Sequence, residues 1–384
     1  MYISRILEKE ILDLSAKYPV VTITGPRQSG KTTLCQKIFP EKKYLSLEDP
    51  NVRDFALNDP IEFLNQDSKG LVIDEIQRVP ELMSFIQTIV DREQKKSMYI
   101  LTGSQQFELM SSLTQSLAGR TALVRVLPFS YSEVYKDSIP ALNDVLYKGL
   151  YPKIHDQDLN PTKELSFYVN TYIERDIRLI TNIKSLKTFE TFLRICAGRT
   201  AQILNYANIA NDVGIDIKTV KHWLSILETS FIIRILPPYY KNMNKRLVKS
   251  PKLYFLDTGL VCYLLGIKKS EQLTSHPLIG ALFETFVISE LYKKFYNKVE
   301  NDNLYYYRDH RGNEVDIIFD NVVSINQLEI KLSKTPMNHF FKGLDFLKRQ
   351  NDYKIDKSFL VYGGDESYKR NNVQLVSWRD IHLF

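Results

Sequence analysis

The first third of the chain alternates short apolar runs with stretches in which apolar residues recur at helical spacing. Five runs have the length of buried strands, at Val20–Thr24, Tyr44–Leu47, Leu71–Asp74, Met98–Thr102 and Leu123–Val126. Strands that alternate with helices are typical of crossover connections in a parallel sheet. The pattern therefore predicts an α/β domain with a parallel sheet over residues 1–135.

The strand signal fades after Ser132, and apolar residues return at helical spacing as far as Lys184. This pattern predicts a helical lid or connector over residues 136–185. Three further helices are predicted: one that begins at Leu186, one over Ile203–Ala210 and one over Lys218–Glu228. Two short strands follow them, at Ile232–Leu236 and Lys252–Phe255. That order of elements, with a glycine turn before the third helix, is typical of a winged helix-turn-helix, placed at residues 186–270.

The pattern of apolar runs over residues 271–384 predicts a separate C-terminal α/β domain. A helix at about Leu278–Phe295 precedes strands at Leu304–Arg308, Val315–Phe319, Gln327–Lys331, Phe359–Tyr362 and Gln374–Val376. A hydrophobic fraction of 44% and a charged fraction of 25% agree with a globular protein of several domains.

Charge and cysteine content narrow the cellular setting. The three cysteines, Cys35, Cys196 and Cys262, form no CxxC pair, which favours buried thiols over disulfides or a zinc site. Charged residues at the N-terminus argue against a signal peptide, and no apolar stretch reaches the length of a membrane helix. We expect a cytoplasmic protein without membrane contact. The net charge of +6 makes an acidic partner possible.

The most specific motif directly follows the first strand. It reads Gly25-Pro26-Arg27-Gln28-Ser29-Gly30-Lys31-Thr32, matches GxxxxGK[ST] at every fixed position, and continues through Thr33 into a helix. Glycines let backbone N–H groups and the helix N-terminus face a phosphate. Lys31 would reach the β- and γ-phosphates of ATP, and Thr32 would offer its hydroxyl to Mg²⁺.

A second pattern completes this site. The third predicted strand ends in Asp74 and Glu75, of which Asp74 would hold the metal and Glu75 would polarise the attacking water. The competing interpretation is a chance glycine turn beside an ordinary buried strand, and the strand–loop–helix context argues against it. The two patterns together predict binding and hydrolysis of ATP.

Three further residues are candidates for the same reaction. Ser104, with Gln105 as a competitor, follows the fourth strand where a γ-phosphate sensor would lie, although an ordinary turn explains it equally well. Arg120 could neutralise transition-state charge in cis or across a subunit boundary, and the second case requires a homo-oligomer. A salt-bridged surface arginine is the alternative. Arg27 would be an additional cation beside the phosphates.

The chain resembles bacterial and archaeal predicted ATPases of the AAA superfamily that join a P-loop domain to an uncharacterised conserved C-terminal domain. The resemblance extends over nearly the whole chain. It rests on Gly25–Thr33, Asp74–Gln77, Thr102–Ser104, Ser116–Arg120, Pro128–Ser130, Tyr254–Leu260 and Gly280–Glu284. It implies that Asp74 and Glu75 are the Walker B pair and that sensor 1 lies near Ser104, a position often occupied by Asn in the wider superfamily.

Basic residues cluster in the predicted winged helix. The predicted wing carries Arg234, Lys241, Lys245, Arg246, Lys249 and Lys252, and the third helix carries Lys218, Lys221 and His222. No acidic residue lies between Glu228 and Asp257. Such a surface could neutralise DNA phosphates without reading sequence. A protein-docking face or a merely solvated face is the alternative.

A second catalytic pattern lies near the end of the chain. Asp316 and Glu329 fall on neighbouring predicted strands, and Lys331 shares a strand face with Glu329 because side chains alternate. The pattern resembles a restriction-endonuclease-like core, with Glu284 as the additional acid on the preceding helix. The resemblance implies Mg²⁺ held by Asp316 and Glu329, with Lys331 activating water. A solvated strand or a nuclease fold without activity is the alternative.

We therefore expect an ATP-hydrolysing switch whose nucleotide state controls a DNA-associated winged-helix and nuclease-like module. One competing hypothesis is a nucleic-acid enzyme that ATP hydrolysis merely licenses. Another is a non-catalytic regulator, in which ATP is a structural clamp and the nuclease fold is degenerate.

Overall fold

A five-stranded parallel sheet organises the amino-terminal domain in the computed structural model, which describes residues 2–103, 116–136, 138–173, 185–240, 249–350 and 353–383. The strand order is β2-β3-β4-β1-β5 and every pairing is parallel. The strands are β1 Val20–Thr24, β2 Lys43–Ser46, β3 Leu71–Asp74, β4 Tyr99–Gly103 and β5 Thr121–Arg125. The sequence prediction of this sheet is confirmed to within two residues at each strand end.

Helices cover both faces of this sheet. They are α1 Glu8–Lys17, α2 Lys31–Ile38, α3 Pro50–Asn58, α4 Pro60–Leu64 and α5 Leu82–Glu93. Successive residues of β1 point to opposite faces, so that Val20 lies in one apolar cluster while Val21 lies in the other. All positions of β1, β3 and β4 are buried, as expected for central parallel strands.

The described part of the connector consists of short helices joined by loops. The short helix α6 Tyr131–Val134 precedes it. The connector then contains α7 Leu142–Lys148, α8 Pro152–Asp156 and α9 Pro161–Tyr168, followed by a π-helical turn at Val169–Ile173. Residues 174–184 lie outside the described part of the chain. Among the described residues, no helix combines the length and the apolar character that crossing a bilayer requires.

The next segment, which we call the three-helix unit, consists of α10 Leu186–Gly198, α11 Tyr206–Val213, α12 Ile217–Thr229 and a small sheet. Its strands are β6 Gln202–Ile203, β7 Ile233–Leu236 and β8 Lys252–Phe255, antiparallel and in the order β6-β8-β7. The predicted start of the second helix at Ile203 is wrong, because Ile203 pairs with Lys252 in the sheet.

The C-terminal domain is a second α/β unit, as predicted. After α13 Thr258–Leu264 and α14 Ile279–Asn297, six strands form a mixed sheet in the order β13-β14-β12-β11-β10-β9. The strands are β9 Leu304–Arg308, β10 Glu314–Asp320, β11 Ile325–Lys331, β12 Ile355–Tyr362, β13 Tyr368–Arg370 and β14 Val373–Ser377, and α15 Lys342–Lys348 lies between β11 and β12. The sequence pattern did not predict β13 or α15.

One continuous hydrophobic core joins the connector, the three-helix unit and the C-terminal domain. Helix α14 runs through it and buries side chains around its whole circumference, which is typical of a central helix. The cysteines Cys35, Cys196 and Cys262 are buried free thiols, as predicted. The boundaries at residues 185/186 and 270/271 stay a prediction.

A buried aspartate fixes the connector against this core. Asp257 caps α13, with Oδ1 accepting a hydrogen bond from Leu260 N at 2.9 Å, and its Oδ2 accepts another from Leu150 N at 2.7 Å. Burial raises the pKa of Asp257, against the opposing charge of Lys293. Gly149 packs so closely that a Cβ there would lie 2.3 Å from Asp257 Oδ1. Asp257, the N-cap residue of α13, therefore also positions the turn before α8.

Replacing Asp257 with alanine is expected to lower the free energy of unfolding by about 2–4 kcal/mol, because two buried N–H groups lose their acceptor. Chemical denaturation of the full chain measures this change. Asp216→Ala is the matched control, since Asp216 caps α12 through Thr219 N in an exposed position. The control should lose less stability, and equal losses would contradict the linking role of Asp257.

Candidate active site

A cleft of about 520 Å³ opens at the carboxyl end of the parallel strands, where ligands of open α/β sheets bind. The loop after β1 and the start of α2 form one wall, and α8 of the connector forms another. The side chains facing it come from Arg27, Gln28, Lys31, Thr32, Thr33, Glu48, Asp74, Glu75, Pro152, Lys153, Asp156 and Gln157, with Gly30 at its floor. The structure thus brings the two motifs of the amino-terminal domain to one cleft.

The loop after β1 depends on its first glycine. Gly25 has φ of 149°, and a Cβ there would lie 2.1 Å from Val126 O, so the backbone can pass only without a side chain. Lys31 Nζ donates to Gly25 O at 3.0 Å and to Pro26 O at 2.8 Å. Burial lowers the pKa of Lys31 to about 8, although Glu75 and Asp74 oppose this shift. The loop therefore holds a poorly solvated cation.

Asp74 is held in one orientation by three hydroxyl groups. Its Oδ2 accepts hydrogen bonds from Thr32 Oγ1 at 3.2 Å and from Tyr44 OH at 2.6 Å, and its Oδ1 accepts one from Thr102 Oγ1. Burial, with the Asp74 carboxylate, raises the pKa of Tyr44. The result is a small group of oxygen atoms beside Lys31.

Glu75 lies in a strained backbone conformation at the cleft. Its φ of 56° is in the left-handed region, which is uncommon for residues other than glycine and is often found at functional sites. The carboxylate accepts a hydrogen bond from Gln77 Nε2. Gln77 belongs to the 3₁₀ turn Ile76–Arg78 and is buried, so it restricts where the Glu75 side chain can point.

Helix α8 supplies residues that the sequence gave no motif for. A Cβ on Gly30 would lie 3.7 Å from Pro152 Cγ, which places α8 directly over the phosphate loop. Lys153 faces the cleft and pairs with Glu164 Oε1 at 2.6 Å. The connector therefore closes one side of the site.

Arg5 was not singled out in the sequence either, and it supports the loop from behind. It is buried, and its Nη1 and Nη2 donate to Ser29 O at 3.2 Å and to Leu127 O at 2.6 Å. Its Nε lies 3.3 Å from the buried Glu133 carboxylate. Arg5 thereby fixes the loop to the segment that leads into the connector, through contacts with Leu127 and Glu133 that are far apart in sequence.

Arg120 lies at the amino ends of the parallel strands, whereas the cleft lies at their carboxyl ends. It directly precedes β5, whose Thr121 pairs with Val20 at the amino end of β1, while the phosphate loop follows the carboxyl end. A strand of this length spans roughly 15 Å. Arg120 Nε and Nη2 instead donate to Asp91 at 2.6 and 2.8 Å. A role for Arg120 in its own chain's cleft is therefore wrong, and a role across a subunit boundary stays a prediction.

The remaining candidate for this site, Ser104, and its competitor Gln105 lie outside the described residues. The last described polar side chain of β4 is Thr102, which contacts Asp74. Arg27 lines the cleft as predicted from its place in the loop.

Glu284, Asp316, Glu329 and Lys331 come together in the C-terminal domain. Asp316 Oδ2 accepts hydrogen bonds from Ile330 N at 2.8 Å and from Lys331 Nζ at 3.3 Å, while Lys331 Nζ lies 2.6 Å from Glu329 Oε1. Burial, with the neighbouring Asp316 carboxylate, raises the pKa of Glu329 to about 8. Burial also raises the pKa of Glu284. Together with Glu314, we call these carboxylates the acidic cluster.

Lys252 enters the acidic cluster from β8 of the three-helix unit. Its Nζ lies 2.5 Å from Glu314 Oε1 and 3.2 Å from Glu284 Oε1, and only 3% of the residue is exposed. The interpretation of Lys252 as an exposed phosphate contact on a wing is therefore wrong. Over the part of the chain that the structure describes, no group of three or more His, Cys, Asp and Glu side chains is arranged to hold a metal ion.

The other basic residues of the predicted wing divide into three groups. Arg234 is ion-paired with Glu228 at 3.4 Å and with Asp302 at 2.9 Å. The prediction that Arg234 is available to contact DNA phosphates is therefore wrong. Lys249 is exposed, whereas Lys241, Lys245 and Arg246 lie outside the described residues. The three basic residues of α12, Lys218, Lys221 and His222, are all exposed.

Three family matches divide the chain. Residues 17–135 match the AAA domain, residues 139–271 match a domain of unknown function (DUF8612), and residues 279–381 match another domain of unknown function (DUF4143).

Individual proteins match over longer stretches. An uncharacterized protein of Mycobacterium tuberculosis is 30% identical over 322 residues, which cover 83% of this chain and 71% of that protein. An uncharacterized protein of Mycobacterium bovis matches with the same identity and coverage. Among solved structures, a Walker-type ATPase of Pyrococcus abyssi matches with 15% identity and a TM-score of 0.45, covering 68% of this chain and 96% of that one.

The low pKa of Lys31 predicts that ATP binding depends on pH. Phosphate binds the protonated amine, and nucleotide-free Lys31 loses its proton as the pH rises through about 8. Below that pH Lys31 contributes no pH dependence, and above it the affinity should fall by up to about tenfold per pH unit. Titration with a fluorescent ATP analogue on both sides of this pH measures the effect.

Lys31→Arg is the control for this titration, because a guanidinium stays protonated throughout. Its affinity should not fall over the same pH range. An unchanged fall in the arginine variant would assign the titration to another group.

Proposed function

Because this chain belongs to the family of AAA-type P-loop ATPases that carry a C-terminal domain of unknown function, we propose that it is a Mg²⁺-dependent ATPase acting as a switch. Its nucleotide state would control the three-helix unit and the C-terminal domain. The observation that carries the proposal is the single cleft in which Lys31, Asp74 and Glu75 meet under α8.

The side chains of the cleft suit a nucleotide phosphate and its metal. Lys31 now donates to two carbonyl groups of its own loop, and a phosphate oxygen would be a stronger, charged acceptor. Thr32 and Asp74 would hold the metal, since Mg²⁺ prefers oxygen ligands. When bound, Mg²⁺ neutralises negative charge on the phosphates. Arg27 adds positive charge along the cleft, Lys153 lines it while paired with Glu164, and Arg120 of the same chain does not reach it.

We propose Glu75 as the general base. Its carboxylate faces the cleft and is oriented by Gln77, so it can accept a proton from a water molecule that attacks the terminal phosphate. Asp74 is occupied by three hydroxyl donors and is a poorer candidate for this step. Hydrolysis is therefore assigned to Glu75, with Gln77 positioning it.

We expect Glu75→Gln to bind ATP with nearly unchanged affinity and to hydrolyse it at least about 100-fold more slowly, because the amide cannot accept the proton. Gln77→Ala should lower kcat by a smaller factor and leave KM unchanged, since Gln77 contacts Glu75. Steady-state phosphate release and a separate binding titration measure the two effects.

Lys31→Ala is the control for these assays, and it should lose binding itself. Retention of wild-type turnover in Glu75→Gln would contradict the assigned base. A wild-type chain that binds ATP without hydrolysing it would favour the alternative of a non-catalytic regulator with ATP as a clamp.

A short path connects the cleft with the rest of the chain. Pro152 of α8 packs beside Gly30, and Leu150, two residues earlier, is hydrogen-bonded to Asp257. Asp257 follows β8 closely, and β8 carries Lys252 into the acidic cluster. Nucleotide can shift this path only by favouring one position of α8 over another. We propose that ATP and ADP differ in how they contact α8.

The three-helix unit has features that support a winged helix in contact with DNA. Strand β6 lies between the first and second of the three helices, β7 and β8 follow the third, and the strands pair in the order β6-β8-β7. The third helix, α12, exposes Lys218, Lys221 and His222. Exposed lysines on one helix can neutralise phosphates without reading base sequence. Because Arg234 and Lys252 turn inward, we assign the contact to α12 rather than to the strands.

Duplex DNA should therefore stimulate ATP hydrolysis, and Lys218→Ala/Lys221→Ala should weaken DNA binding. Loss of two phosphate contacts should reduce the slope of log affinity against log salt by roughly two. Fluorescence anisotropy at several salt concentrations gives both quantities.

Lys95→Ala/Lys96→Ala is the matched control. Both lysines are exposed, and they precede β4 at the amino ends of the strands, away from the cleft. Its binding should equal that of wild type. No binding at low salt, or equal losses in both double variants, would contradict a DNA-contacting α12 and favour a protein-docking face.

A further inference from the structure

The acidic cluster of the C-terminal domain contains a lysine that belongs to another unit. Lys252 lies on β8, in the small sheet of the three-helix unit, whereas Glu314 and Asp316 lie on β10 and Glu284 lies on α14. The lysine side chain is 4% exposed. It is therefore an internal cation rather than part of a solvated surface.

Three carboxylates surround the Lys252 ammonium. Its Nζ lies 2.5 Å from Glu314 Oε1, 3.2 Å from Glu284 Oε1 and 3.9 Å from Asp316 Oδ1. Tyr254, two residues along β8, donates its hydroxyl to the same Glu284 oxygen at 2.5 Å. Burying a lysine is costly unless it is paired, and here several acids from two elements pair with it.

The resemblance to a nuclease core would place a divalent cation among these acids. A metal such as Mg²⁺ binds carboxylate oxygens at about 2.1 Å and cannot share that position with an ammonium group in contact with the same oxygens. Two adjacent positive charges would also repel each other strongly in a buried site. The described residues therefore do not fit a metal while Lys252 is in place.

A second observation concerns Glu329. Its Oε1 pairs with Lys331. Its Oε2 is buried and has no hydrogen-bond partner in the described structure, and only 8% of the residue is exposed. Lys252 supplies no contact to this oxygen among those the structure gives. The cluster thus keeps an acceptor that a cation with more ligands would use.

We propose that the Lys252 ammonium takes the place of a divalent cation in the acidic cluster. With Lys252 of β8 in contact with these acids, the C-terminal domain binds no catalytic metal. The ion pairs of the cluster instead hold the sheet of the three-helix unit against the C-terminal sheet. Withdrawal of the ammonium exposes a latent site for Mg²⁺ or Mn²⁺ formed by Glu284, Asp316 and their neighbours. This inference concerns the second site and does not depend on ATP hydrolysis.

Mn²⁺ binding to the nucleotide-free full chain, followed by electron paramagnetic resonance, tests the proposal. Lys252→Met should gain one Mn²⁺ site with roughly tenfold or greater affinity over wild type, because carboxylate oxygens become available as ligands. Adding Asp316→Asn should remove that site. This dependence on Asp316 distinguishes it from any Mn²⁺ held in the nucleotide cleft.

Lys293→Met is the matched control. Lys293 is also buried, but among the described residues its ion pair is with Glu290 at 2.8 Å, and its charge also acts on Asp257. Its replacement should create no Mn²⁺ site. Two results would overturn the proposal: Asp316-dependent Mn²⁺ binding in wild type as tight as in Lys252→Met, or no gain of a site in Lys252→Met.

Thermal unfolding keeps the test decisive if Lys252→Met is poorly folded. Mn²⁺ should raise the melting temperature of Lys252→Met and of Lys252→Gln, and leave Lys293→Met unchanged. Absence of a Mn²⁺ effect in both Lys252 variants contradicts a latent metal site. Asp316-dependent, metal-dependent cleavage of plasmid DNA by wild type also contradicts it.

Discussion

The carboxylate of Asp257 is the constraint on which the arrangement of the two sites depends. It accepts hydrogen bonds from Leu150 and Leu260, so neither backbone segment can move away without leaving a buried N–H group unpaired. Leu150 leads into α8, which covers the nucleotide cleft, while β8 ends shortly before Asp257. One buried group therefore fixes the wall of the cleft relative to the strand that reaches the acidic cluster.

The pKa values of the two buried lysines, Lys31 and Lys252, are shifted in opposite directions. Lys31 lies in a loop where loss of water outweighs the nearby acids, so its pKa falls and an anionic phosphate would restore the missing negative charge. At Lys252 burial also acts to lower the pKa, but Tyr254, Glu284 and the other acids outweigh it and the pKa rises. The cleft is thus ready for an anion, whereas the acidic cluster already contains its cation.

The sequence was sufficient wherever function is encoded locally. Gly25 and Asp74 were predicted because a phosphate loop and a strand-ending acid leave fixed local patterns. Contacts between distant segments left no such pattern: Pro152 reaches the cleft only through the fold, and Lys252 looked like part of an exposed wing because its acidic partners lie more than thirty residues away. Arg120 was placed at the cleft because its motif does not reveal at which end of the sheet it lies.

Hydrogen–deuterium exchange with and without a non-hydrolysable ATP analogue tests the central claim most directly, since it reports local opening along the whole chain. The account predicts that the analogue changes exchange in residues 25–33, in the turn and helix at 149–156, and in β8, with none of these changes in Lys31→Ala. A change confined to residues 25–33 would contradict coupling of the cleft to the rest of the chain through α8 and Asp257.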